Sequence, residues 1–231
     1  MAERPVFIPN HTGKQLVIEK NISFHWNPGM SISQKRKNIV ALHEAASMIG
    51  VSPILEVSTK SDQQIGNRLS AFNLKVRRNT GTHISLESAF QGSKVFKYGG
   101  PYSDLYGKSG FECKKDERLK NSGELVSFCY DGIEWDLSPH TAFYDWLYVN
   151  AVHSGPCIDD VLLRYNGFSD IEFNPAKSIN CQARSCALYV SLKKRKLLEN
   201  AIKDKDCFIE LVKNGYIQKT DLSQMHQGSL F

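Results

Sequence analysis

Glu87, Gln91 and Lys94 stand in the stretch SLESAFQGSK, residues 85–94, at spacings of four and three. On a helix turning about 100° per residue they fall within an arc of roughly 60°. Ala89, Phe90 and Val95 lie off that arc and can pack inward. A carboxylic acid and an amine one to two turns apart can serve as proton donor and nucleophile. A free lysine, with a pKa near ~10.4, is protonated at neutral pH and needs partial burial to act; a nearby carboxylate opposes that shift but can shuttle the proton. A solvated polar stripe has the same spacing, and its Glu–Lys pairs are worth a few tenths of a kcal/mol at most. Residue types alone leave both readings open.

The elements that must position these groups follow from pattern. Residues 4–9, 14–19 and 21–26 are short and rich in β-branched and aromatic types, and read as strands broken at Gly13 and Asn21. Ser31 with Gln34 forms a capping box for a helix carrying Ile39, Leu42, Ala46 and Ile49, stopped by Gly50. Ser61 with Gln64 predicts a second box and a short helix to about Ser70. AFNLKVRRNTGTHIS reads as a hairpin turning at Asn79–Gly81, and the helix with Glu87 is expected from Leu86 to Phe96. Residues 99–124 read as a long loop with one helical turn near Asp116–Leu119. ELVSFCYDGIEWDL is a hairpin with Asp131–Gly132 as its turn. Ser138–Pro139 is expected to open a helix bearing Phe143, Trp146 and Val149. Further helices are expected near 158–166, ending at Gly167, over Ile179 to Val190, and near 204–213. There is no βαβ alternation, no GxGxxG and no GxxxxGK[ST], which argues against a doubly wound nucleotide fold. The expected class is α+β: a mainly helical single domain over 1–215 with short N-terminal strands and a mid-chain β-hairpin. Residues 216–231 are expected to form a mobile tail.

Composition narrows the class. No run of eighteen apolar residues occurs, so no membrane span is expected, and MAERPVFIPNHTG lacks the apolar core of a secretory signal. Six cysteines without a CxxC pair then read as reduced thiols of a cytoplasmic protein, with no zinc site. The net charge of +5 permits a nucleic-acid partner without demanding one. Basic residues gather in two places, Lys75, Arg77 and Arg78 on the first hairpin and Lys193 to Lys196 after the long helix, where they can contact phosphates or face solvent. His83 and His140 have no visible partners and take no role.

RLSAFNL followed by ESAFQGSKVF resembles the NADAR family, whose members pair an F-S-N-F-like turn with an E-H-x-F-Q-x-x-K-like helix. Trp135 at a hairpin end, and DIEFNPAKSINCQARSCALYVSL as an acidic, Asn-bearing segment leading into a helix of small residues, extend the likeness over about 68–195. GGPYSDLYG and the first sixty residues look like the branch that accompanies DNA ADP-ribosyltransferase toxins, in which the NADAR protein is the antitoxin. Ser88 stands where many members have His, and Phe173–Asn174–Pro175 replaces their W-G-x-G signature.

The resemblance implies cleavage of an N-glycosidic bond between an exocyclic nitrogen and a ribose anomeric carbon. An exocyclic amine leaves only when protonated, so Glu87 is the expected acid. Lys94 attacks covalently as a Schiff base, or a water activated by Glu87 attacks directly. Asp170 is expected to stabilise positive charge on the sugar, and Phe90, Gln91, Trp135, Tyr102, Asn174, Asn180 and Arg184 to bind substrate. Trp135 and Tyr102 would do so by stacking and Arg184 by holding a phosphate, yet each is equally at home as a packing or ion-pairing residue, and Asn174–Pro175 reads also as a helix cap. Lys75, Arg77 and Arg78 are expected to contact nucleic acid. No cofactor is required. The implied partner is DNA carrying a modified base, with a DNA ADP-ribosyltransferase toxin as a second partner. The leading expectation is removal of ADP-ribose from guanine as an antitoxin. Excision of hypermodified phage bases to abasic sites, a non-catalytic ADP-ribose reader or toxin inhibitor, and cleavage of riboflavin-pathway aminopyrimidine ribosides remain beside it.

Overall fold

A computed structural model describes residues 1–216. Strands β1 (Ala2–Pro9) and β2 (Val17–Phe24) form an antiparallel hairpin in unbroken register from Ala2 opposite Phe24 to Pro9 opposite Val17. Two strands were expected over 14–26, and one forms. Asn21 is tolerated within it because β2 is an edge strand, with Asn21 exposed opposite Pro5, which has no N–H to offer. Helix α1 (Ile32–Ser47) starts where Ser31 accepts from the Gln34 amide at 3.3 Å, and buries Ile39, Leu42 and Ala46. Strand β3 (Ile54–Glu56) follows, then α2 (Gln64–Arg68). The second capping box does not form: Ser61 Oγ accepts from the Gln63 amide in a turn instead.

Strands β4 (Lys75–Arg77) and β5 (His83–Ser85) make the expected hairpin and lead into α3 (Leu86–Gly92). That helix stops four residues short of Phe96. Lys94–Phe96 instead forms strand β6, drawn into a sheet with β7 (Leu125–Tyr130) and β8 (Ile133–Trp135) in the order β6-β7-β8. Ladder pairing outweighs helical periodicity here, so Lys94 leaves the helix that carries Glu87.

The expected long loop is ordered. It holds a 3-10 helix (Ser103–Gly107), α4 (Gly110–Lys114) with a complete Ser109–Glu112 capping box, and α5 (Arg118–Asn121). Arg118 pins it, donating to Asp104 at 2.7 Å and to Asp116 at 2.8 Å. Helix α6 (Ala142–Ser154) begins three residues after Pro139, and α7 is only Asp159–Leu162. Gly167 starts β9 (Gly167–Ser169) rather than ending a helix. Then come α8 (Gln182–Lys194), α9 (Leu198–Lys203) and α10 (Lys205–Tyr216). The tail expected from 216 lies, from 217 onward, outside the described residues.

The fold is mixed α+β, as expected. The largest sheet runs β2-β1-β9-β3, antiparallel except for the β3–β9 pair. Helix α6 is apolar nearly all round and lies in the core, where the small residues Ala183, Cys186 and Ala187 of α8 belong to the same cluster. Arg195, just past α8, clamps the loop between β1 and β2, donating to the carbonyls of Asn10, Thr12, Gly13 and Gln15 at 2.7–3.0 Å. Among the described residues no helix is long and apolar enough to cross a membrane.

Asp145 of α6 is fully buried, accepting from Thr141 Oγ1 (2.7 Å), Ser185 Oγ (2.5 Å) and Arg184 Nη1 (2.7 Å). Asp145→Ala removes the carboxylate that Arg184, Thr141 and Ser185 share. Urea unfolding is expected to show a loss of about 3–5 kcal/mol; a loss under ~1 kcal/mol would mean the ion pair does not hold α6 to α8.

Candidate active site

Helix α3 is buried along its whole length. Ser85 caps it by accepting from the Ser88 amide at 3.1 Å, while the Leu86 and Glu87 amides donate to the carbonyls of Leu74 and Ala71 at 2.9 Å. The first turn is thus fixed by the preceding segment, and Glu87 sits in it, where a negative charge suits the positive end of the helix dipole. Its side chain is only 6% exposed. Gln91 Nε2 donates to Glu87 Oε1 at 2.9 Å, and Lys114 Nζ reaches the same oxygen from α4 at 3.9 Å. Gln91 Oε1 is buried without a hydrogen-bond partner, an acceptor held beside the carboxylate.

Lys94 is 2% exposed, and its Nζ lies 5.1 Å from the centre of the Phe90 ring. Burial pulls its pKa down to about 8; the Glu87 charge works against that shift and the Lys114 charge adds to it. At neutral pH roughly a tenth of such an amine is neutral, against well under a thousandth for a solvated lysine. Phe90 itself packs on Phe128 (5.3 Å) and edge-on to Tyr144 (5.1 Å). The solvated-stripe reading of Glu87, Gln91 and Lys94 is therefore excluded by their burial.

Asp170, 7% exposed, follows β9 and accepts from Gln182 Nε2 (2.9 Å) and the Glu172 amide (3.0 Å). Gln182 Oε1 accepts from the Ala71 amide at 2.7 Å, and Ala71 accepts from the Glu87 amide. One glutamine amide thus ties the segment carrying Asp170 to the turn that fixes Glu87. Tyr144 responds to both carboxylates: burial first, then the charges of Glu87 and Asp170, push its phenol well above its ordinary pKa.

Behind Asp170 is a second carboxyl that sequence reasoning missed. Glu56, at the end of β3, accepts from Ser58 Oγ (2.6 Å), Ser169 Oγ (2.6 Å) and the Ile171 amide (2.9 Å). Ser169 Oγ also meets His43 Nε2 at 2.8 Å. Burial, then the charge of Asp170, raises the Glu56 pKa; burial, then Glu172, raises that of Asp170. Two carboxyls so placed retain a proton at neutral pH. The signal was a lone Glu inside the apolar run PILEV. Gln182 gave none, because an amide at a helix start is ordinary.

Other expected residues lie elsewhere. Trp135 is buried against Phe143 (5.5 Å) and Trp146 (5.1 Å), one ring removed from Phe90. Tyr102 bonds Ser122 and lies under the Arg118 guanidinium, packing its loop onto the body. Arg184 pairs with Asp145. Asn174 Oδ1 accepts from the Ala176 amide in a local turn, and Asn180 Oδ1 is buried without a partner. Arg78 donates to Asp131 at 2.5–2.8 Å and stacks 4.4 Å from the Tyr106 ring centre, joining two hairpins. Lys75 and Arg77 are exposed and, with His83 and the end of α6, line a groove of about 350 Å³. Among the described residues no three His, Cys, Asp or Glu side chains gather to hold a metal ion.

The family model described as DarT1-associated NADAR antitoxin matches residues 2–222 of this chain. No curated protein matches it.

Proposed function

Because the chain belongs to the family of DarT1-associated NADAR antitoxins, we propose that it is an N-glycosidase that removes ADP-ribose from the exocyclic amine of guanine in DNA. The observation that supports this most is the burial of an acid and a pKa-lowered amine together, Glu87 and Lys94, beside the unpartnered acceptor of Gln91.

In the reaction the Lys94 ammonium passes a proton to Glu87, which delivers it to the exocyclic nitrogen as the bond to the anomeric carbon breaks. The neutral amine of Lys94 forms the new bond to that carbon; one of its protons returns to Glu87 and the other passes to the ring oxygen as the sugar opens, giving an imine. Water then adds to the imine carbon, ADP-ribose leaves, and the amine is restored. The net change is hydrolysis: hydroxyl to the sugar, hydrogen to the guanine nitrogen. Asp170 and Glu56, with one negative charge between them, stabilise the electron-poor sugar carbon. Lys75 and Arg77 carry the neighbouring phosphates in their groove.

The test is incubation with a single-stranded oligonucleotide carrying one ADP-ribosylated guanine. Free ADP-ribose and intact guanine are expected. Abasic sites without ADP-ribose would assign base excision instead. Release from free aminopyrimidine ribosides alone, insensitive to salt, would assign a small-molecule enzyme. Tight binding without any release would leave only a reader.

A further inference from the structure

Beside Glu87 lies an aromatic pair that the mechanism above does not use. Phe72, from the turn that fixes α3, and Phe111, from α4, stack with ring centres 4.2 Å apart and planes 13° from parallel. Phe111 is 58% exposed. A solvent-facing face-to-face stack of two phenylalanines is an uncommon arrangement for a purely structural contact, because the outer ring gains little burial. The pair is set directly against the acid: a Cβ added to Gly110 would come within 2.8 Å of Glu87 Cβ and 3.0 Å of the Phe72 ring. Lys114, one turn on from Phe111, reaches Glu87 Oε1 and lies 5.5 Å from the Phe72 ring centre. Helix α4 itself is anchored, with Gly110 and Cys113 buried and the Lys108 carbonyl accepting from Ser88 Oγ of α3 at 2.9 Å. The Phe111 side chain is the part free to turn.

We propose that Phe72 and Phe111 are the clamp for the substrate's nucleobase, a purine with an exocyclic amine. Phe111 turns off Phe72, the base enters between the two rings, and a base N–H donates to the unpartnered Gln91 Oε1. Opening the stack takes a displacement of about one ring thickness, ~3.5 Å. The arrangement places the exocyclic nitrogen at Glu87, and gives to Phe72 and Phe111 the stacking role that Trp135, in the core, does not fill. The clamp rests on the N-glycosidase reading of the same site.

The experiment compares wild type, Phe111→Ala and Phe111→Trp as full chains on the ADP-ribosylated oligonucleotide. Phe111→Ala is expected to raise KM roughly tenfold to a hundredfold, with kcat changed far less and the thermal midpoint unmoved. Phe111→Trp is expected to restore KM, and guanosine monophosphate is expected to quench its added fluorescence relative to wild type. A KM within about twofold of wild type in Phe111→Ala overturns the clamp while leaving the N-glycosidase reading intact. If wild type releases no ADP-ribose, that reading fails, and the quenching, which needs no cleavage, still decides the clamp: added fluorescence that stays unquenched in Phe111→Trp overturns it.

Discussion

Glu87→Gln is expected to lower single-turnover release of ADP-ribose by about 10³-fold, with the fold and substrate affinity retained. The amide is isosteric, and its oxygen can still accept from Gln91 Nε2. The charge lost faces two amines, Lys94 and Lys114, and the 3.9 Å contact to the exposed Lys114 contributes at most about 1 kcal/mol to stability. A second effect runs the other way. The Glu87 charge holds the Lys94 pKa up, so its removal leaves more of the lysine as free amine. A fall in rate therefore cannot come from a less reactive lysine, and reports the missing proton donor. Activity within threefold of wild type would remove Glu87 from the acid role.

Lys94→Met is expected to abolish turnover and, at the same time, to make the protein more stable near neutral pH. Borohydride added during turnover should trap wild type as a covalent adduct with the sugar and leave the variant unlabelled. The stability effect has a sign that can be worked out. The folded-state pKa is about 8 against 10.5 for the free side chain. Below about 8 both states carry the proton, and the folded state bears the full cost of a buried charge. Between there and 10.5 the unfolded chain binds more protons than the folded one, so this lysine's contribution makes stability rise with pH. Methionine has no such cost, so the unfolding free energy of Lys94→Met from denaturant titration should exceed that of wild type at pH 7 by on the order of 2–4 kcal/mol. That gap should close as pH rises to 10.5. The difference between the two proteins is the quantity to follow, since the tyrosines and cysteines of the unfolded chain ionise over the same range in both, while burial pushes the folded ones higher. A gap that does not narrow with pH would contradict the buried setting of this amine.

The chemistry was more legible in the sequence than its geometry. Glu87, Gln91 and Phe90 were found from helical spacing, and that part of the helix forms. The same spacing marks Lys94, yet it stands on a strand, because the helix that carries Glu87 ends two residues before it. Turns with strong local chemistry, Asn79–Gly81 and Asp131–Gly132, were readable because their backbone requirements are local. Strands β3 and β9 were not, because three residues are too few for alternation to register and their pairing partners are about a hundred residues apart. With them went Glu56 and the setting of Asp170. The capping box at Ser109–Glu112 is a local signal, but it lies in a glycine-rich, charged segment whose composition reads as loop.

The motifs that carry the resemblance begin near residue 68, which draws a seam near residue 60 between an amino-terminal extension and a core. The strand pairing says otherwise. Glu56 comes from before that seam and Asp170 from after it, and β9, which delivers Asp170, is flanked on one side by β1 and on the other by β3. The amino-terminal segment is therefore not modular. Exchanging it between relatives, or trimming the chain to its motif-bearing stretch, would alter the proton affinity of an acid more than a hundred positions away, so the whole length has to be inherited as one unit.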